Sequence, residues 1–99
     1  MTEDELLAAV LLLAGRLRLL AAHVEDSRAL RAGAGFPDLV LAGPGGILFA
    51  ELKSASGDLS TAQRRWRWMI QAAGGRWRLW RPAHWEAGLI EREMKEITT

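Results

Sequence analysis

The hydrophobic and polar positions at the start of the chain predict a helix. Thr2 is followed by three acids, the last of them Glu5, and then by an apolar run. A hydroxyl with a carboxylate three residues later is typical of a capping box, and acids in a first turn complement the helix dipole. We expect this helix to run to about Gly15 or Leu19. Residues 19–24 either finish it or form a short strand, because their periodicity favours neither.

Two apolar stretches around a glycine-rich turn predict a β-hairpin. Residues 38–42 and 47–53 flank the sequence Gly-Pro-Gly-Gly at positions 43–46, and a polar loop at 25–35 precedes them. A four-residue turn sets Ala42 opposite Ile47. Counting back along both strands then sets Asp38 opposite Glu51.

The second half of the chain predicts a helix, a strand and a last helix. Ser60 opens a helix to about Ala73, with Gln63 as the partner in a second capping box and two glycines as the stop. Residues 76–81 form a strand, and Pro82 starts the last helix. The expected inward positions are Ala62, Trp66, Met69, Ile70 and Ala73, then Trp85, Leu89, Ile90 and Ile97, with Trp68 on the arginine-bearing face. The order helix-strand-strand-strand-helix-strand-helix indicates an α/β or α+β fold.

Composition narrows the class of protein. The 99 residues are 49% hydrophobic and 25% charged with a net charge of +1, which indicates one globular domain over residues 1–99. The absence of cysteine excludes a disulfide scaffold, a cysteine-ligated zinc site and a cysteine nucleophile. The apolar run at 6–14 is too short to span a bilayer, and the acidic start is the opposite of a signal peptide. We expect a cytoplasmic protein without a membrane partner.

The small net charge conceals a basic and aromatic segment. Residues 59–85 contain six arginines, all five tryptophans and no acid. Arginine forks match phosphate oxygens and aromatic faces stack on bases, so the segment favours a nucleic-acid partner. A solvated arginine face over a tryptophan core explains the same pattern. The sequence leaves both interpretations open.

Three charged residues converge in the predicted hairpin. Residues directly opposite each other have Cβ atoms roughly 4.5–5.5 Å apart, so Asp38 and Glu51 meet on one face, and Lys53 shares that face. Two carboxylates this close repel each other unless a cation lies between them, and Mg²⁺ prefers such ligands. Such an ion lowers the pKa of a bound water and polarises a phosphoryl oxygen. The alternative is an ordinary surface cluster of ion pairs.

The residues around this cluster resemble the PD-(D/E)XK nuclease signature, with Pro37-Asp38 and Glu51-x-Lys53 as its two halves. More narrowly, the chain resembles a stand-alone VRR-NUC domain of phages and bacteria, and the resemblance covers nearly the whole chain. The matching positions are Glu5 and Val10, residues 23–28, residues 35–39, residues 51–53, residues 57–60, Gln63, Trp66, Gly75 and residues 80–82.

The resemblance implies a restriction-endonuclease-like core and a metal-dependent phosphodiesterase acting on DNA. It implies that Asp38 and Glu51 bind Mg²⁺ or Mn²⁺, with the backbone carbonyl of Leu52 as a further ligand. Lys53 would be the catalytic lysine, and Gln63 would point from its helix toward the active site.

Two of the matched residues have structural alternatives. Glu5 matches a first-helix glutamate that assists the metal site, but it is also the capping partner of Thr2. Gln63 is likewise the capping partner of Ser60.

The resemblance also implies a substrate and an assembly. His23, Ser27 and Arg28 would line the DNA path, and Arg64, Arg65 and Arg67 are the further candidates for phosphate contacts. Stand-alone members resemble structure-specific enzymes that act on branched DNA such as four-way (Holliday) junctions. A chain this short can hardly embrace a junction alone, so we expect a homodimer. The expected interface is the first helix, with Trp68 or Trp80 beside it; its apolar residues are Leu6, Leu7, Val10, Leu11, Leu12, Leu13 and Leu17. A nicking or flap nuclease, or a non-catalytic DNA-binding module of this fold, is the alternative function.

Overall fold

The computed structural model describes residues 1–24 and 33–99, which form a mixed four-stranded sheet and four helices. The elements are α1 (Glu3–Arg16), β1 (Leu20–His23), β2 (Leu39–Gly43), β3 (Gly46–Leu52), α2 (Thr61–Ala72), β4 (Arg76–Trp80), α3 (Pro82–Glu86) and α4 (Leu89–Glu96). The α+β class is therefore confirmed. Within the described ranges, no helix is long and apolar enough to cross a membrane.

The first helix begins as expected and ends at the earlier of the two expected positions. Both bonds of the capping box form: Glu5 N–H donates to Thr2 Oγ1 at 3.1 Å, and Thr2 N–H donates to the Glu5 carboxylate at 2.9 Å. Arg18 has φ of 60°, a left-handed conformation that a continuing helix cannot use. The chain turns there, and residues 20–23 form the edge strand rather than the end of the helix.

The hairpin has the expected register with a tighter turn. Ala42 pairs with Ile47, as expected, but Gly43 also pairs with Gly46, so the loop is two residues long instead of four. Glycine is required at both ends of this loop. A Cβ on Gly43 would lie 2.3 Å from the carbonyl oxygen of Ile97, and Gly46 has φ of 150°. The glycines therefore let the turn pack tightly against the C-terminal end of α4.

The sheet order is β1-β2-β3-β4, with β3 and β4 parallel and the other pairs antiparallel. Helix α2 is the crossover between the two parallel strands, as that connection requires. The core lies between α1, the C-terminal helices and one face of the sheet. Its buried residues are Leu6, Val10, Leu13, Ala14, Leu19, Leu39, Leu41, Leu48, Ala50, Leu52, Trp80, Ile90, Met94 and Ile97.

Helix α2 is less buried than its periodicity predicts. Met69 is 62% exposed and Ala73 is exposed, so their expected inward positions are wrong, and no α2 residue is fully buried. Trp66 is half-buried and packs edge-on against Phe36 with ring centroids 5.0 Å apart. The helix packs mainly against β4, which covers only part of the stripe. Trp68 is exposed, as expected.

The expected last helix is two helices. Gly88 has φ of 76°, and this left-handed residue separates α3 from α4. Trp85 packs partly buried against the core, and Ile90 and Ile97 are fully buried. The inward positions of Trp85, Ile90 and Ile97 are thus confirmed, Leu89 is only half-buried, and the continuous helix is wrong.

The first helix does not present the expected dimer surface. Most of its apolar residues are buried or packed against the core, and among its leucines and its valine only Leu12 is exposed, at 60%. Trp80 is fully buried and donates from Nε1 to Glu93 at 3.2 Å. The sheet and the C-terminal helices together cover more of α1 than a single sheet contact would. The expectation for Trp80 is therefore wrong, and α1 offers a second copy less apolar surface than expected.

Candidate active site

The ends of β2 and β3 bring Asp38 beside Glu51. Leu39 pairs with Ala50, so the register carried one residue further sets the two acids opposite each other. The Asp38 carboxylate is held there, because its Oδ2 accepts a hydrogen bond of 2.8 Å from the backbone N–H of Leu52. Strand β3 therefore carries Glu51 and, through the N–H of Leu52, also holds the carboxylate of Asp38.

The Glu51 carboxyl is buried with one oxygen unpaired. The residue is 3% exposed, Oε1 accepts from Gln63 Nε2 at 2.8 Å, and Oε2 has no hydrogen-bond partner among the described residues. Burial, followed by the negative charge of Asp38, raises the pKa of Glu51 from its ordinary 4.5 to about 8, while the charge of Lys53 opposes the rise. An unpaired, buried carboxylate oxygen costs free energy, so the site favours a proton or a cation there.

Gln63 performs both of the roles that the sequence left open. Its Oε1 accepts from Ser60 N–H at 2.8 Å and closes the capping box, while its Nε2 donates to Glu51. Because the cap occupies the amide oxygen, the amide nitrogen is the atom turned toward the carboxyl. The start of α2 therefore orients the buried acid.

Lys53 extends the strand pairing beyond β3. Its backbone N–H donates to the Trp80 carbonyl at 3.0 Å, and strand alternation places its side chain on the face of Glu51. Arg81 Nη1 donates to the Ser54 carbonyl at 2.7 Å and so holds the chain immediately after Lys53. No local pattern signals this contact, because 27 residues separate its two partners.

Glu5 is the capping-box partner of Thr2, and it does not line the cleft beside Asp38. Its carboxylate bonds the Thr2 N–H, and this bond lowers the pKa of Glu5. A cleft of about 380 Å³ does open beside Asp38, but the α1 acids that line it are Glu3 and Asp4. The sequence could have indicated Glu3 and Asp4, because they lie in the same first turn of α1 as Glu5.

The other expected DNA-binding residues have different outcomes. His23 is exposed and lines the cleft beside Asp38. Ser27 and Arg28 lie outside the described residues.

The three α2 arginines are all exposed but differ in their contacts. Arg64 pairs with Asp58 at 3.2 Å, and the Arg67 guanidinium lies 5.2 Å from the centre of the Trp77 ring. Arg65 forms no ion pair with any described residue. Arg65 is therefore the member of the set best placed for an external anion.

The rest of the arginine segment is partly structural. Arg78 Nε donates to Glu93, and Arg81 bonds the Ser54 carbonyl, as described above. Arg78 and Arg81 therefore support the fold, while the α2 arginines face solvent, and the nucleic-acid partner stays a prediction.

The donor set fits a divalent cation with few protein ligands. Among residues 1–24 and 33–99, no group of three or more histidines and acids is arranged around a common point. Asp38 and Glu51 supply two carboxylates, and the Leu52 carbonyl stays a predicted ligand. Mg²⁺ commonly uses one or two carboxylates and keeps waters in its other positions. The unpaired Glu51 Oε2 and the repulsion between the two acids are the features that such an ion would satisfy.

Comparison of the chain with protein-family models, curated proteins and solved structures finds no significant match. The functional assignment therefore rests on the contacts of Asp38, Glu51, Lys53 and Gln63.

Proposed function

We propose that this chain is a Mg²⁺- or Mn²⁺-dependent endonuclease that hydrolyses phosphodiester bonds in DNA. One observation carries the proposal: the buried Glu51 carboxyl, with an unpaired oxygen, lies against Asp38 and beside Lys53. A purely structural cluster would pair these charges at the surface. Burying one acid against another costs stability, and a cation site is the chemical reason to keep that arrangement.

Each residue of the cluster has a separate task in the proposal. Asp38, Glu51 and the Leu52 carbonyl hold the ion, which when bound supplies positive charge to the phosphate and lowers the pKa of water. Gln63 keeps the Glu51 carboxyl in one orientation through a bond that the α2 cap also fixes. Lys53 brings an ammonium group to the same face, where it stabilises the negative charge that develops on the phosphate.

Branched DNA is the proposed substrate, with four-way junctions as the leading case. This part of the proposal rests on the resemblance to VRR-NUC nucleases and on size, since the molecule measures only 31 × 29 × 21 Å. Two symmetric cuts across a junction need two active sites, and each chain has one Asp38–Glu51 pair. The proposal therefore includes a homodimer.

A nicking or flap nuclease is the second candidate. Burial of Leu6, Val10 and Leu13 favours it, because these residues of the surface first expected to join two copies lie inside the core. A single chain with one active site cuts one strand at a time.

Cleavage assays test the proposal. Linear duplex, flap and four-way-junction DNA are incubated with the protein and Mg²⁺, Mn²⁺ or EDTA, alongside the Asp38→Ala and Glu51→Ala variants. We expect metal-dependent cleavage that both variants lose while DNA binding persists, because each change removes a ligand and a charge that repels phosphate. Glu86→Ala, which removes an exposed acid, is the matched control. Unchanged cleavage in either active-site variant would contradict the proposal.

A further inference from the structure

An open groove runs along α2. It lies between the backbone at Gly33 and Ala34 and the helix residues Arg65, Trp66 and Met69, and it has a volume of about 680 Å³. Neither the acid pair nor Lys53 lines it. The groove is therefore separate from the proposed cleavage site.

The groove presents one open aromatic ring. Trp68 at its edge is 66% exposed, and the neighbouring Met69 is 62% exposed. Trp66, in contrast, is closed on both sides: a Cβ on Gly33 would lie 2.9 Å from its ring, and Phe36 packs against it edge-on. Trp66 is thus a wall of the groove, and Trp68 is the indole that can receive a ligand.

The charge along the groove favours an anionic ligand. Its described lining contains Arg64 and Arg65 and no acid. Asp58 offsets Arg64, whereas Arg65 forms no ion pair with a described residue. A guanidinium beside an exposed indole matches a phosphate joined to a base, since arginine binds phosphate oxygens and aromatic rings stack on bases.

The groove and the proposed cleavage site both use residues of α2. Gln63, which bonds Glu51, lies in the first turn of α2, and Trp68 follows five residues later. Five residues of helix rise about 7.5 Å and turn through about 140° beyond one full turn, so Trp68 and Gln63 lie on different sides of α2. The groove and the acid pair therefore contact different parts of a bound DNA.

We propose that this groove binds an unpaired stretch of DNA, with a base stacked on Trp68 and a neighbouring phosphate bound by Arg65. The proposal rests on the proposed nuclease function and narrows its substrate to branched DNA with single-stranded nucleotides, such as a flap, in preference to a fully paired four-way junction. Paired bases are stacked on each other within a duplex, so only an unpaired base offers its face to an indole. Duplex without such nucleotides would leave the groove unused.

Binding of a short oligothymidylate in EDTA tests the groove without any cleavage. Tryptophan fluorescence and anisotropy of a labelled strand are measured for wild type, Trp68→Ala, Trp68→Phe and Leu12→Ala. We expect Trp68→Ala to weaken binding about 5- to 150-fold, from the usual worth of one stacked base. Trp68→Phe should retain most of the affinity, because phenylalanine still stacks. Leu12→Ala removes a similarly exposed side chain on α1 and should leave binding unchanged.

The outcomes separate this inference from the nuclease proposal. Trp68-dependent binding in a protein that cuts no DNA would support the groove and refute the nuclease. Metal-dependent cleavage combined with equal binding by wild type and Trp68→Ala would refute the groove alone. If sedimentation shows that Trp68→Ala abolishes self-association and leaves strand binding intact, the groove is an interface between two copies and the inference is wrong.

Discussion

Replacing Glu51 with glutamine should stabilise the fold in a manner that depends on pH. Glutamine has nearly the same shape, and its carbonyl oxygen can still accept the hydrogen bond from Gln63. The change removes only the charge that burial and Asp38 disfavour. In the folded protein these two causes raise the pKa of Glu51 to about 8, against 4.5 for an ordinary glutamate.

The size and sign of the effect follow from proton linkage. Because the folded pKa lies above the unfolded one, folding takes up a proton between pH 4.5 and about 8. The stability contributed by neutral Glu51 is complete below pH 4.5 and is lost as the pH rises to about 8. At about 1.4 kcal/mol for each pKa unit, the whole interval corresponds to about 5 kcal/mol. The glutamine side chain does not titrate, so the free energy of unfolding of Glu51→Gln should exceed that of wild type by nearly nothing at low pH and by about 5 kcal/mol above about pH 8.

Urea unfolding in EDTA measures this difference. Wild type, Glu51→Gln and the exposed control Glu86→Gln are compared at about pH 4 and about pH 9. We expect the control to follow wild type and Glu51→Gln to exceed it only at the higher pH. A variant that is less stable than wild type at about pH 9, or an advantage equal at both pH values, would refute the burial argument.

Three further variants test individual contacts. Lys53→Ala should lower the turnover of DNA cleavage by about 10²-fold or more and leave Mn²⁺ binding unchanged in calorimetry, because the ammonium acts on the phosphate rather than on the ion. Loss of metal binding in a folded Lys53→Ala variant would contradict this role. Gln63→Ala should reduce cleavage more than Ser60→Ala does, because only Gln63 also orients the buried carboxyl, although urea unfolding should show that each variant loses about 1 kcal/mol of stability with the helix cap. Equal cleavage by the two variants would mean that Gln63 serves only as a cap. Arg65→Gln should reduce the salt dependence of DNA binding by about one phosphate contact, whereas Arg67→Gln should change it less because Arg67 already lies over an indole. A larger loss of salt dependence in Arg67→Gln than in Arg65→Gln would mean that another face of α2 contacts DNA.

The hairpin could be predicted from sequence because its constraints are local. Side chains alternate with a period of two, so a slip of one residue would move Asp38 to the opposite face. The glycines at 43 and 46 limited where the chain could turn. The length of the turn was wrong because it depends on the contact between Gly43 and Ile97, which are far apart in the sequence.

The extent of burial could not be predicted, because it depends on which elements pack together. Helix α1 is apolar on more of its surface than one contact needs, and this excess suggested a dimer. Instead, the sheet and the C-terminal helices cover Leu6, Val10 and Leu13. Helix α2 has a clear apolar stripe, yet β4, which packs against it, covers only part of that stripe and leaves Met69 exposed.

The candidate site shows the same division. Its acids and lysine could be found from register and from the resemblance to a nuclease signature. The burial of Glu51, its unpaired oxygen and the double use of Gln63 are tertiary features. They carry the proposal, because a buried carboxyl oxygen without a partner beside a second acid is what a bound cation would satisfy.

Calorimetric titration of Mn²⁺ into the protein without DNA tests the central claim most directly. Wild type should bind the ion near neutral pH, with release of a proton, because the ion replaces the proton that the raised pKa of Glu51 retains. Asp38→Ala and Glu51→Gln should both lose this binding, whereas Glu86→Gln should keep it. Absence of binding in wild type, or unchanged binding in both active-site variants, would contradict a metal site at Asp38 and Glu51.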